Sequence, residues 1–294
     1  MKLALGSVQF GLNYGVSNQQ GKPNLKEVEK ILKLAVDNQI DVIDTASAYG
    51  DSELVLGKLN ALTRYCRIVT KLPPLNHEVF SQDDCEHYLD LLRKSLANLN
   101  TDNLYGVMFH AAKDIKKEGV TILCQALNQF KNDNIVQKTG ISLYSHGNFD
   151  DLLKDDFIDL IQIPFNCFDT FFKDSGYLER FKKNNVEIHA RSCFLQGLLL
   201  MQSEDLPSYF SPWHKQLEEF THIAQQHSIS KLELAMLYTL NEPLIDKIVI
   251  GVNSEQQLEE ILEAYSKISD AGICDLPVLS SKDQALTNPA HWKL

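Results

Sequence analysis

Residues able to deliver a proton to an oxygen stand at the ends of three successive apolar runs. The run 41–44 leads into Asp44-Thr45-Ala46-Ser47-Ala48-Tyr49-Gly50, the run 67–71 ends in Thr70-Lys71, and the run 105–110 ends in Phe109-His110. A phenol ordinarily ionises near pH 10, so it is a poor acid at neutral pH unless a nearby cation favours its ionised form. Lys71 can supply that cation, and Asp44 can hold the amine protonated and oriented. His110 can donate a hydrogen bond to a carbonyl oxygen and so orient it. A Lys and an Asp facing one cavity have to pair, because either charge buried alone is costly.

Taken singly, each residue has a plainer reading. Asp44 could cap a helix, Tyr49 could be an interface aromatic, and His110 could be a satisfied core histidine. Lys71, before Leu72-Pro73-Pro74, could be a solvated loop residue. Together the four suit protonation of an oxygen that receives a hydride. No second carboxylate is placed for glycoside chemistry, and no spacing points to a metal-ligand cluster.

The elements that must position these residues are short apolar runs alternating with amphipathic stretches. The runs are Leu3–Leu5, Asp41–Asp44, Arg67–Lys71, Tyr105–His110, Gln137–Ser142, Asp159–Pro164, Val186–Ser192 and Lys247–Gly251. Each is too short and too apolar for a half-exposed alternating strand, which predicts buried parallel strands. Between them, residues 25–36 place Leu25, Val28, Ile31, Leu32 and Ala35 on one helical face, with Asn24 and Glu27 as a capping box. Further stripes run Leu89, Leu92, Leu96, Leu99 and Val120, Leu123, Leu127, Phe130. Later helices are expected near 148–153, 175–184, 213–227, 230–240 and 254–268.

Eight such alternations predict the α/β class and a closed (β/α)8 TIM barrel. A doubly wound sheet needs a glycine fingerprint after its first strand; Gly6, Gly11 and Gly15 have the wrong spacing and no helix begins among them. One barrel domain over residues 1–294 is expected, with a carboxy-terminal tail over 270–294. Barrels gather their chemistry at the carboxy-terminal ends of the strands. Besides the quartet, that rim receives Ser142, Gln162, Asn166, Arg191 and Ser192.

The net charge of −11 and the shortness of the basic clusters Lys116-Lys117 and Lys182-Lys183 exclude a nucleic-acid face. Six cysteines without CxxC spacing read as reduced thiols. The amino terminus does not look like a signal peptide, and no apolar run approaches the roughly 18 residues of a membrane span. A cytoplasmic protein with a small-molecule partner is expected.

The chain resembles the aldo-keto reductases over nearly its whole length. The resemblance is carried, in order, by GSVQFGLNYGV (6–16), DVIDTASAYGDSELVLG (41–57), IVTKL (68–72), VMFH (107–110), TGISLYS (139–145), IQIPFN (161–166), SCFLQGLLL (192–200) and IDKIVIGVNSEQQLEEIL (245–262). It implies NAD(P)H-dependent reduction of an aldehyde, ketone or sugar carbonyl, with Asp44, Tyr49, Lys71 and His110 as the catalytic tetrad. It further implies that Ser142 and Gln162 hold the nicotinamide amide and that Asp44 lies near its ribose. Ser192, Leu195 and Gly197 resemble the loop around the pyrophosphate. Gly251, Asn253, Gln257 and Glu260 resemble the adenosine-phosphate site, where free N–H groups of a helix start would receive an anion.

Three departures accompany the resemblance. The first barrel strand begins at Leu3, without the β-hairpin plug that opens many members. Arg191 stands where many members stack a tyrosine on nicotinamide. Val252 and Gln257 stand where Lys and Arg often meet the 2′-phosphate, so NADP(H) is the expectation and NAD(H) stays open. The segment GSVQFGLNYGV…GKP and the ending NPAHW (288–292) resemble a bacterial subgroup linked to surface-polysaccharide and nucleotide-sugar pathways. Two other functions compete with reduction. One is a non-catalytic nicotinamide-nucleotide-sensing barrel, and the other is a lyase or isomerase using Lys71 as a Schiff base.

Overall fold

The computed structural model describes every residue except Ser145 and residues 272–275. Eight parallel strands close on themselves in sequence order: β1 (Leu3–Gly6), β2 (Val42–Asp44), β3 (Arg67–Leu72), β4 (Leu104–Phe109), β5 (Val136–Ser142), β6 (Leu160–Pro164), β7 (Glu187–Arg191) and β8 (Lys247–Gly251). β8 returns to β1 through the register Leu3↔Ile248 to Gly6↔Gly251. The expected (β/α)8 barrel is the observed fold, and each expected strand is present within one or two residues.

The helices follow the apolar periodicity with local corrections. Helix Leu25–Asp37 buries Val28, Ile31, Leu32 and Ala35, and the Asn24 side chain accepts from Glu27 N. The second half of the expected capping box does not form, because Glu27 turns its carboxylate to another helix and accepts from Glu255 N at 2.8 Å. Helix Gln82–Leu99 buries Cys85, Tyr88, Leu92, Ser95 and Leu99, so Leu89 and Leu96 lie on the flank of its buried face. The stretch near 148–153 forms only a 3-10 turn at Leu152–Lys154. The helix expected near 213–227 is observed as His214–Gln226, preceded by a 3-10 turn, Ser208–Trp213, that contains Pro212. In the tail, Gln284–Thr287 is helical, and Cys274 lies outside the described residues; the other five cysteines are free thiols.

Alternate residues of each strand face the barrel interior, and they sort by height. At mid-height Ala4, Val42, Val69, Met108 and Leu160 form a buried cluster. Gly106 and Gly140 make room for Leu160: a Cβ on Gly140 would stand 1.8 Å from the Leu160 carbonyl oxygen. At the carboxy-terminal end the same rows deliver Asp44, Lys71, Ser142, Gln162 and Arg191.

At the amino-terminal end the rows deliver charge. Glu187 accepts from Tyr105 Oη at 2.5 Å, pairs with Lys138, and lies 2.7 Å from His189 Nε2. The Arg67 guanidinium lies 4.5 Å from the Tyr105 ring centroid and pairs with Asp41 at 2.5 Å. Lys247 pairs with Asp41 at 2.6 Å and donates to the Met1 carbonyl at 2.9 Å. This network occupies the amino-terminal end of the barrel interior.

Burial alone would raise the Glu187 pKa, but His189, Lys138 and Tyr105 outweigh it and hold the carboxyl well below the usual carboxylate range. A depressed carboxyl pKa stabilises the fold above the unfolded value of about 4.3, and that stabilisation is lost as pH falls below it. Glu187→Gln is therefore expected to cost about 2 kcal/mol at neutral pH. Melting temperatures of the two proteins should begin to converge below about pH 4 and draw together as the pH falls toward the depressed folded value of the carboxyl; a gap that stays constant would show that the carboxylate charge is not the cause.

Candidate active site

Tyr49 is presented by a tight turn that leaves the end of β2. Thr45 N donates to Val69 O at 2.8 Å, Ser47 N to Lys71 O at 3.2 Å, and Tyr49 N to Ala46 O at 3.0 Å. The turn closes at Gly50, whose φ of 59° lies in the left-handed region. It rests on the short helical turn Val8–Gly11 so closely that a Cβ on Gly11 would stand 1.7 Å from the Tyr49 carbonyl oxygen. Ser52 Oγ ties the two segments by donating to Ser7 O at 2.9 Å.

The structure brings Asp44, Tyr49, Lys71 and His110 together. Lys71 is 1% exposed and Asp44 3% exposed, so the pair lies inside the barrel mouth. Lys71 Nζ donates to both Asp44 carboxylate oxygens at 2.7 Å and to Thr45 O at 2.9 Å. Three acceptors for three ammonium protons leave no lone pair for imine formation. Nζ is 5.1 Å from the Tyr49 ring centroid, and the Tyr49 and His110 rings meet edge to face with centroids 5.9 Å apart.

Burial is the largest influence on each titrating group here. It opposes the Lys71 charge, yet Asp44 and then Tyr49 more than offset it, and the amine pKa is raised. It lowers His110 to about 4, with Lys71 adding to the drop, so the imidazole is neutral at physiological pH. It raises the Tyr49 phenol above its ordinary value; Lys71 and Arg191 pull downward while Asp44 adds to the rise. The sequence expectation of a net acidified phenol is corrected accordingly. Asp44 neutralises most of the field that Lys71 would otherwise exert, and desolvation wins. Tyr49 is a securely protonated acid with a cation beside it, ready to stabilise the phenolate once the proton has left.

A cleft of about 380 Å³ opens beside this cluster. Of the residues expected to hold a nucleotide, Gln162, Arg191, Ser192, Gly197, Gly251, Asn253, Gln257 and Glu260 line it. Ser142, 2% exposed, and Leu195, fully buried, do not reach its surface. Gln162 Nε2 donates to Asp44 Oδ1 at 2.7 Å, which joins it to the ion pair. The Arg191 guanidinium lies 4.4 Å from the Tyr144 ring centroid and donates to Leu143 O at 3.2 Å and Ser192 Oγ at 3.3 Å.

At the helix start after β8, three of the amides already have partners within the protein. Asn253 N donates to Gln257 Oε1 at 2.7 Å, Glu255 N to Glu27 Oε1 at 2.8 Å, and Gln257 N to Ser254 Oγ at 3.2 Å.

Sequence reasoning missed one wall of the cleft. Tyr14, Gly15, Ser17 and Asn18 line it together with Gln9 and Gln196. Tyr14 Oη accepts from Gln196 Nε2 at 2.9 Å, and Val16 N donates to Gln196 O at 3.1 Å. The loop after β7 makes this approach through consecutive left-handed residues, Leu195 (φ 48°), Gln196 (φ 55°) and Gly197 (φ 90°). Such strain in non-glycine residues collects at ligand-binding segments. The signal available in the sequence was Gly11 and Gly15, which bracket an aromatic in a stretch too short for a helix.

A nicotinamide dinucleotide suits the cleft on one local ground: Gln9 Oε1 is a buried acceptor in its wall with no protein donor. Gly197 and Gly251 let the walls close on Ser17 and Gln9, because a Cβ at either would stand 1.9 Å from Ser17 Oγ or 2.3 Å from Gln9 Nε2.

Comparison with known proteins agrees with this geometry. The sequence pattern of the Aldo/keto reductase family matches residues 2–274. The D-arabinose 1-dehydrogenase of Saccharomyces cerevisiae is 25% identical over 94% of this chain and 87% of its own. An aldo-keto reductase from Bacillus halodurans, solved in its holo form, superposes with a TM-score of 0.71 at 18% identity, covering 94% of this chain and 93% of its own. A Pseudomonas aeruginosa structure described as a putative aldo-keto reductase gives a TM-score of 0.65 at 18% identity, over 92% of this chain and 91% of its own.

Breaking the buried ion pair from one side strands a charge. Lys71→Met is expected to cost about 3–5 kcal/mol, and combining it with Asp44→Asn should recover a substantial part. Urea unfolding of the two single variants and the double variant measures this coupling, and strictly additive losses would show that the pair is not energetically joined.

Proposed function

The chain belongs to the aldo/keto reductase family, and from that premise we propose that it reduces the carbonyl of a small aldehyde, ketone or sugar with a nicotinamide cofactor. The observation that carries this reading is the clustering of phenol, ammonium, carboxylate and neutral imidazole at the mouth of a cleft with an orphaned acceptor. The yeast relative's name, a D-arabinose dehydrogenase, supports a sugar or another polyol-like carbonyl.

In this reading the reduced nicotinamide, when bound, supplies hydride to the carbonyl carbon. Tyr49 gives its proton to the carbonyl oxygen as charge develops there. Lys71 stabilises the resulting phenolate, and Asp44 keeps the amine charged and fixed in direction. His110, neutral because burial and Lys71 disfavour its cation, donates a hydrogen bond that orients the oxygen. Gln162 steadies the carboxylate through its bond to Asp44. Gln162, Arg191, Ser192, Gly197 and Gly251 are the contacts proposed for the nearer part of the cofactor. Ser142 and Leu195 support that wall from beneath.

Arg191 takes the place of a stacking aromatic. Its guanidinium is a flat cation already resting on Tyr144, and such a plane can also stack on a ring. The sensing alternative gains no particular observation. It would be favoured only if cofactor bound without being oxidised by any of a broad panel of carbonyls.

Tyr49→Phe is expected to lower kcat/KM for carbonyl reduction by about a thousandfold while cofactor binding persists. Absorbance of the reduced nicotinamide and fluorescence titration measure the two, and substantial residual turnover would remove Tyr49 from its role. The pH profile is a second check. His110 protonates only toward pH 4 and Tyr49 ionises above its ordinary value. The kcat/KM for reduction should therefore stay level from about pH 6 to about pH 9. A break near the ordinary histidine value, abolished by His110→Gln, would contradict the neutral imidazole.

A further inference from the structure

The Tyr49 phenol fixes where a nicotinamide has to stand, because both must reach one carbonyl. The rest of a dinucleotide then has one course through the cleft, between the loop after β7 and the segment 251–261. On that reading of the site, the far end of the cleft meets the adenosine half, and NADP(H) differs from NAD(H) there by one phosphate dianion.

That end is built against a dianion. Among the described residues, Arg191 is the one Lys or Arg lining the cleft, and it is held at the reactive end by Leu143 and Tyr144. The amides of Asn253, Glu255 and Gln257 are already donated within the protein. The acceptor for Glu255 N is itself a carboxylate, Glu27, so the positive end of the helix dipole is spent on an internal anion. Glu260 places a carboxylate in the cleft wall itself. The ammonium of Lys30 lies 3.4 Å from Glu255 and 3.6 Å from Glu27, so this trio keeps a net negative charge.

We infer that this protein selects NAD(H) over NADP(H) because the cleft wall formed by the helix after β8 presents the Glu260 carboxylate and, among the described residues, no Lys or Arg that could receive a phosphate dianion. A carboxylate accepts hydrogen bonds from the two hydroxyls of an unphosphorylated ribose and repels a phosphate in the same place. The selection works by exclusion as much as by attraction. It reverses the NADP(H) expectation drawn from family resemblance, and the reason lies in Glu260 in the cleft wall and in the Glu255 amide already being bonded to Glu27.

Fluorescence titration with NADH and NADPH, in the absence of any carbonyl, tests this without relying on turnover. NADH is expected to bind at least about tenfold more tightly. Added salt should narrow the gap by screening the repulsion of NADPH. Gln257 and Glu260 lie on the exposed side of their helix, so the double variant Gln257→Arg, Glu260→Gln should fold and should raise NADPH affinity about tenfold. Equal or tighter binding of NADPH by the unaltered protein would overturn the selection, as would a ratio indifferent to both salt and the double variant. If neither nucleotide binds, the reductase reading itself fails.

Discussion

A lysine and an aspartate share the dry mouth of the barrel, and almost everything at this site follows from their having to face each other. Neither charge could remain there alone. Their mutual requirement fixes the Lys71 ammonium against two carboxylate oxygens and one carbonyl, and that fixes the direction from which a cation acts on Tyr49. Gln162 extends the constraint to β6, and the turn from Thr45 to Gly50 extends it to the phenol. The pair also explains an otherwise puzzling result. A lysine so close to a tyrosine does not acidify it in the resting protein, because burial of the phenol outweighs the lysine's pull and the aspartate that holds the lysine opposes that pull as well.

The barrel interior is graded from end to end. Charge gathers at the mouth around Lys71 and Asp44, aliphatic side chains and two glycines fill the middle, and charge returns at the floor around Glu187 and Asp41. In the floor, tyrosine, histidine, arginine and lysine surround two carboxylates, so both buried anions have partners.

How much of this the sequence discloses depends on whether a feature is set by strand periodicity or by contacts between distant loops. The eight strands were legible because buried parallel strands are nearly continuous apolar runs, and the four reactive residues were legible because they stand at strand ends. Contacts between loops were not. The wall formed by Tyr14, Ser17 and Asn18 depends on a left-handed run at 195–197, which no local composition demands. Glu27 looked like half of a capping box, yet it caps a helix more than two hundred residues away. The helix near 148–153 shrank to one turn, and the acidity of Tyr49 could not be read until the depth of its burial was known.

The bridge between Tyr14, Val16 and Gln196 joins the two walls of the cleft to each other. Two segments 182 residues apart in sequence thereby stiffen one another, so that altering Tyr14 or Gln196 would reshape both walls at once although neither residue belongs to the quartet.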